Sequence, residues 1–138
     1  MIRVATPEDM PAVLDIRRAV FMVEQGVSEA EERDGQDDEA LHYLALKDDV
    51  QIGTARVLVD GDAGKIGRVA VLSDHRGAGV GKDIMLFVLD DLRIRGLKQA
   101  KLGAQTHALG FYEALGFQAV GPQFMDAGIP HRMMECAL

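Results

Sequence analysis

Apolar residues recur along this chain at two spacings, and the switches between them divide it into elements. Ile2-Arg3-Val4 alternates as a short strand. Thr6-Pro7-Glu8-Asp9 then carries the marks of a helix start: a hydroxyl N-cap, proline at the first helical position and acids in the first turn. Met10, Val13, Leu14, Arg17 and Phe21 follow at three- and four-residue steps, which predicts a helix with one core-facing stripe ending near Val23. Residues 41–46, 50–59 and 65–72 read as strands, joined by turns at Asp48-Asp49 and Asp60-Gly61-Asp62. Ile84, Met85, Val88, Leu89 and Leu92 form a second helical stripe, with Arg93 and Arg95 at its negative pole and Gly96 just beyond. Residues 98–103 are the next strand, parallel to 65–72 because a crossover helix joins the two. Residues 107–115 read as a short helix stopped by Gly116. A strand begins at 117–120 and is interrupted by Gly121-Pro122, and 132–137 is the last strand after the turn Gly128-Ile129-Pro130. Hairpins, one crossover and a closing strand pair predict an α/β mixed sheet flanked by helices, within one domain over 1–138.

Composition narrows the class. At 138 residues the chain is long enough to bury a core without disulfides or metals, and 48% hydrophobic with 27% charged residues is ordinary for a globular protein. The one cysteine, Cys136, sits in the apolar tail and reads as a small buried residue, so a reducing, cytoplasmic setting is expected. No secretory leader is visible in the first twenty residues, and the apolar run 84–89 is far too short to span a bilayer. The net charge is −7, and the segment 24–39, with eight acids against Arg33, accounts for all of it. The rest is balanced, which argues against a nucleic-acid surface. The acidic segment reads equally as a solvated loop or as the neighbour of a cationic substrate. No pair of histidines has metal-ligand spacing, so no metal is expected.

The chemistry concentrates in residues 68–82, RVAVLSDHRGAGVGK. An apolar run, Val69-Ala70-Val71-Leu72, leads through polar residues to Arg76 and then to Gly77, Gly79 and Gly81, after which the second helix begins. Glycines leave backbone N–H groups unshielded at the positive end of a helix dipole, a setting that suits a phosphate. A Walker loop is excluded, because Arg76 stands where its first glycine belongs and Asp83 where it needs Ser or Thr. The dinucleotide fingerprint fails at Lys82. What fits is R-x-x-G-x-G, as Arg76-x-x-Gly79-x-Gly81.

That loop resembles the pyrophosphate loop of the GCN5-related N-acetyltransferases (GNAT). A second stretch strengthens the likeness: Ala108, Phe111, Tyr112, Gly116 and Phe117 match the family's N-x-x-A-x-x-[FL]-Y-x-x-x-G-F, with Gln105 in place of asparagine. In the N-terminal half, Arg17-x-x-Val20-Phe21-x-x-Glu24-Gln25, Asp34, Asp37 and His42 resemble the small ElaA-like and YjcF-like subgroup. So do Ala104-Gln105 and Phe124-x-x-x-Gly128-Ile129-x-His131. The resemblance implies a mostly antiparallel sheet splayed at one parallel strand pair, with acetyl-coenzyme A bound at the splay.

By that likeness, Arg76 and the N–H groups of Gly77, Ala78, Gly79, Val80, Gly81 and Lys82 would grip the pyrophosphate. The edge Val69-Ala70-Val71 would pair with the pantetheine arm, Val71 facing the thioester carbonyl, and Gln105, Ala108 and Phe111 would complete the cofactor site. Acetyl transfer to an amine also needs protons moved. Tyr112 is the expected acid for the departing thiolate, and Glu24 the expected base, with His42 and His131 as alternatives. Phe21, Glu24, Gln25, Asp34, His42 and His131 are the expected acceptor-side residues. The acceptor implied is an amine of a small molecule or peptide, with no membrane partner, and the apolar last strand offers an edge for a homodimer. The competing reading is a coenzyme A sensor without turnover.

Overall fold

Seven strands run through the computed structural model, which describes all 138 residues. They are β1 (Ile2–Val4), β2 (Leu41–Lys47), β3 (Val50–Asp60), β4 (Ala63–Val71), β5 (Gln99–Gln105), β6 (Gln118–Asp126) and β7 (Ile129–Ala137). They form one sheet in the order β1-β2-β3-β4-β5-β7-β6. The hairpin turns fall where the sequence puts them: Asp48 and Asp49 both take left-handed backbone, φ 51° and 63°, as a tight two-residue turn requires. β4 and β5 are the one parallel pair, and they stay together only from Ala63 opposite Gln99 to Ile66 opposite Leu102. Past that point β4 keeps β3, while β5 keeps β7 through Gly103 opposite Met133 and Gln105 opposite His131. The sheet therefore parts. A bulge in β4, where Arg68 sits at φ 50°, twists the strand away at this place.

Helices cover both faces. α3 (Val80–Ile94) joins β4 to β5 and buries Ile84, Met85, Val88, Leu89 and Leu92, each worth roughly 1.5–3 kcal/mol out of water. It lies so close to β3 that a Cβ on Gly53 would stand 2.8 Å from Ile84 Cδ1. On the opposite face, α1 (Met10–Arg17) runs on into a wide turn, Arg18–Glu24, in which the Gln25 N–H reaches back to Val20 O and the Val27 N–H to Phe21 O. The buried positions there are Val13, Ile16, Arg17 and Val20, so Ile16 and Val20 take the places expected for Leu14 and Phe21. A short α2 (Glu29–Glu32) follows, and α4 (Leu109–Glu113) succeeds β5. No helix is long and apolar enough to cross a membrane.

Three expectations at the C-terminus are corrected. β6 continues through Gly121-Pro122, taking up a register shift between Val120 and Phe124; as the outermost strand it tolerates a residue without an N–H. β7 begins at Ile129, so the turn is Ala127-Gly128, both with positive φ. β7 also lies between β5 and β6 with both edges paired, which removes the last strand as a dimer edge.

The middle of the acidic segment is held down by arginines, while Asp38 and Glu39 stay exposed. Arg17, fully buried, binds Glu32 at 2.8 Å and Asp37 at 2.7 Å. Arg56 binds Asp34 at 2.8 Å and Asp37 at 3.2 Å, and Arg68 binds Glu32 at 2.7 Å. Three cations thus neutralise three carboxylates and fix residues 32–37 on the sheet. Removing one member leaves charge buried without a partner, so Glu32→Ala is expected to cost about 3–5 kcal/mol of unfolding free energy, read from the denaturant midpoint. Arginine hydrogen bonding holds Asp34 well below the carboxylate range; for Asp37, burial pushes the other way but the bonds from Arg17 and Arg56 win. Depressed carboxylates stabilise the fold above their unfolded pKa of about 4. Stability should therefore fall as pH drops below about 4, and a flat acid-denaturation curve there would contradict the clamp.

Candidate functional site

Where β4 and β5 part, a cleft of about 1020 Å³ opens between them. Its walls are the end of β4 and the start of α3 on one side, and β5, α4 and β7 on the other. Every residue expected to bind cofactor or acceptor or to move a proton lines it except Glu24, Ala78 and His42.

The glycine loop forms the first wall. Gly77 and Gly79 have φ of 80° and 81°, in the left-handed region, and a Cβ on either would meet nothing within 4 Å, so the backbone lies bare to the cleft. The N–H groups of Gly77, Ala78, Gly79, Val80, Gly81 and Lys82 find no acceptor in the protein. Six free amides, the amino end of a fifteen-residue helix and the Lys82 ammonium make a site that fits a diphosphate. Beside it, Val71 stands opposite Gly53, while the next residue, Leu72, donates to Ile52 O at 2.9 Å. Strand alternation then turns the Val71 N–H and C=O away from β3 and into the gap. Arg76 Nε takes that C=O at 2.9 Å, and the Val71 N–H remains to face the cleft.

Arg76 does more than face a phosphate. Its two terminal nitrogens bind the Glu24 carboxylate at 2.7 and 2.8 Å, so three of its five N–H donors are engaged within the protein. The neighbouring Gln25 reaches the other wall: its Oε1 accepts from Gln105 Nε2 at 3.0 Å, and Gln105 Oε1 accepts from His107 Nε2 at 2.7 Å. Glu24-Gln25 is thus a clasp over the parting, one residue gripping each side. For a base at Glu24 this arrangement is unfavourable. The Arg76 hydrogen bonds hold its carboxyl below the ordinary range, which weakens it as a base, and the carboxylate is turned to Arg76 rather than into the cleft.

Of the other expected residues, His42 is tied through Nε2 to Asp37 O of the acidic segment at 2.9 Å and does not line the cleft. Asp34 lines the cleft, but its carboxylate is committed to Arg56 and Arg68. The acids of the cleft that keep no arginine partner are Glu31 and Asp126. Phe21 and Gln25 line the cleft together with Phe124, Met133 and His131. Tyr112 stands on α4, edge-on to Phe111 and Phe117, with its hydroxyl unpartnered inside the protein. Burial pushes its phenol up to about 12. Arg56 and Arg68 were missed as cleft residues. For Arg56 a signal existed, since polar Thr54 and Arg56 alternate inside the apolar run of a central strand.

Comparison with known proteins follows the same lines. A family model described as an acetyltransferase (GNAT) domain matches residues 4–138. The uncharacterized protein YyaT of Bacillus subtilis is 38% identical over 135 residues, 96% of this chain and 91% of that protein. The uncharacterized N-acetyltransferase YjcF of the same organism is 34% identical over 128 residues, 92% of this chain and 91% of the other. The crystal structure of Escherichia coli ElaA superposes with a TM-score of 0.86 at 32% identity, covering 99% of each chain. The sheet parted at one parallel pair is therefore the fold the resemblance implied.

The Tyr112 environment is directly measurable. Tyr43, whose hydroxyl donates to Asp91 at 2.6 Å, is also pushed up by burial, so the protein has no ordinary phenol. Absorbance of tyrosinate should stay low at a pH of about 10.5, where a free phenol is more than half ionised. A titration step near pH 10 that disappears in Tyr112→Phe would contradict the buried setting.

Proposed function

This chain belongs to the GNAT acetyltransferase family, and on that premise we propose that it moves an acetyl group from acetyl-coenzyme A to a primary amine of a small molecule or peptide. The observation that carries the reading is the row of six free amides, Gly77 to Lys82, set at the mouth of a cleft whose wall is an unpaired strand edge. Bound there, acetyl-coenzyme A supplies an activated acyl group as a thioester. The loop amides and Lys82 hold the diphosphate, and the Val71 N–H donates to the carbonyl oxygen, where negative charge develops as nitrogen attacks. The edge of Val69, Ala70 and Val71 takes the pantetheine arm as an added strand, and Ala108, Phe111 and Gln105 close the far side.

Tyr112 donates the proton that the departing thiolate needs. A phenol kept protonated to about 12 is in the donating form throughout the physiological range. Passing that proton to a thiolate whose conjugate acid titrates at about 8.5 is uphill from a phenol at about 12, so the acid contributes to rate rather than being indispensable. Glu31 and Asp126, the cleft carboxylates that have no arginine partner, favour an acceptor carrying positive charge besides its reacting nitrogen. Cys136 without a disulfide suits a cytoplasmic setting.

The test is thiol release from acetyl-coenzyme A against a panel of primary amines, with binding followed separately by calorimetry. Wild type is expected to bind acetyl-coenzyme A and release thiol with at least one amine. Tyr112→Phe should keep binding and lose about 10²-fold in kcat. Gly79→Val, which forces a branched side chain into a left-handed position of the cradle, should lose binding. Binding without turnover on any amine would favour a coenzyme A sensor, and no binding would overturn the reading.

A further inference from the structure

The proposed reaction needs a base, and Glu24 is committed to Arg76. The cleft holds another candidate on the face of the sheet opposite Tyr112. His131 lies in β7 opposite Gln105 of β5 and Phe124 of β6, and it is 8% exposed. Its Nδ1 is 2.7 Å from Ile129 O. A carbonyl oxygen only accepts, so Nδ1 carries the proton and Nε2 carries the lone pair. The ring stacks on Phe124 with centroids 5.7 Å apart and planes at 26°, which fixes where Nε2 points. Nε2 has no hydrogen-bond partner in the protein, yet no side-chain nitrogen or oxygen is both buried and unpartnered. The small accessible part of this residue therefore includes Nε2, and His131 lines the cleft.

The strand register places this lone pair on the acceptor side. Along β7, Met133 and His131 project from one face, and Met134 packs into the core with α3 on the other. Gly103 of β5, opposite Met133, has no side chain; a Cβ there would stand 3.4 Å from Phe124 Cζ and 3.6 Å from Met133 Sδ. The floor beside His131 is thus cut back to backbone where the sheet parts. Gln25, which lines the same cleft, bonds to Gln105 next to it. The sheet neighbours of His131, Gln105 and Phe124, carry no charge.

We propose that His131 Nε2 is the general base of the transfer, its tautomer set by Ile129 O and its orientation by Phe124. This rests on the acetyltransferase reading above. The amine nitrogen forms a bond to the acyl carbon while His131 takes one of its protons; the carbon–sulfur bond breaks, its electron pair goes to sulfur, and Tyr112 protonates the thiolate. Amine and acetyl thioester become amide and thiol, and solvent returns the proton from the imidazolium to the phenolate. Acid and base sit on opposite faces of the sheet and meet through its parting, so neither competes for the other's proton.

Two readouts test it. The first needs no turnover: long-range ¹H–¹⁵N spectra of the imidazoles, assigned with His131→Gln, should show a neutral ring protonated at Nδ1, and a ring protonated at Nε2 overturns the proposal. The second uses acetyl-coenzyme A with ethanolamine, putrescine, lysine and alaninamide. His131→Gln should bind acetyl-coenzyme A within about twofold of wild type, lose about 10²-fold or more in kcat on the best amine, and lose the acidic limb of the pH–rate profile. Added imidazole should restore rate to His131→Gln and not to Tyr112→Phe. A working wild type whose acidic limb survives in His131→Gln overturns the base alone. A wild type that binds acetyl-coenzyme A but acetylates nothing contradicts the transferase reading, and the base falls with it.

Discussion

Everything in this molecule turns on the early parting of β4 and β5. A parallel pair that stops after four residue pairs leaves two strand edges unsatisfied in the middle of a sheet, where buried amides and carbonyls are costly. The chain meets part of that cost itself. Arg76 caps the Val71 carbonyl and the bulge at Arg68 turns β4 aside, while β7 holds β5 in the sheet from its other side. What remains open is the two facing strand edges and the amide row beside them. That residue of unsatisfied polarity is the proposed binding site: the backbone groups the fold cannot pair are those a pantetheine arm and a diphosphate can.

Charge keeps the parting in shape. The buried exchange among Arg17, Arg56, Arg68 and Glu32, Asp34, Asp37 ties the segment after α1 to the bulged strand, and the Glu24-Gln25 clasp spans the cleft above it. Much of the acidity that looked like a lure for cations is thereby spent on holding the fold. The exposed clasp pair differs from the buried network: solvent screens it, so it is able to open and close without threatening the fold.

How legible all this was depends on the range of each interaction. α3, the glycine loop and the hairpin turns could be read because each follows from residues close in the chain: a helical stripe, positive-φ positions, paired aspartates. The parting itself came from resemblance, since no local pattern says where a parallel pair ends. The arginine network was not legible, because its members stand at 17, 32, 34, 37, 56 and 68 and meet only in the folded sheet. The same reason explains Glu24, whose partner is 52 residues away. Only the folded chain brings it onto Arg76. His131 was visible as a candidate, but its tautomer depends on a carbonyl two residues back that only the strand geometry presents.

The measurement that bears most directly on the account is a titration of coenzyme A into ¹⁵N-labelled protein, followed amide by amide. The account predicts that the largest shifts fall on Gly77 to Lys82 and on Val71, the groups left without partners at the parting. Shifts centred elsewhere, or none at all at saturating ligand, would contradict it.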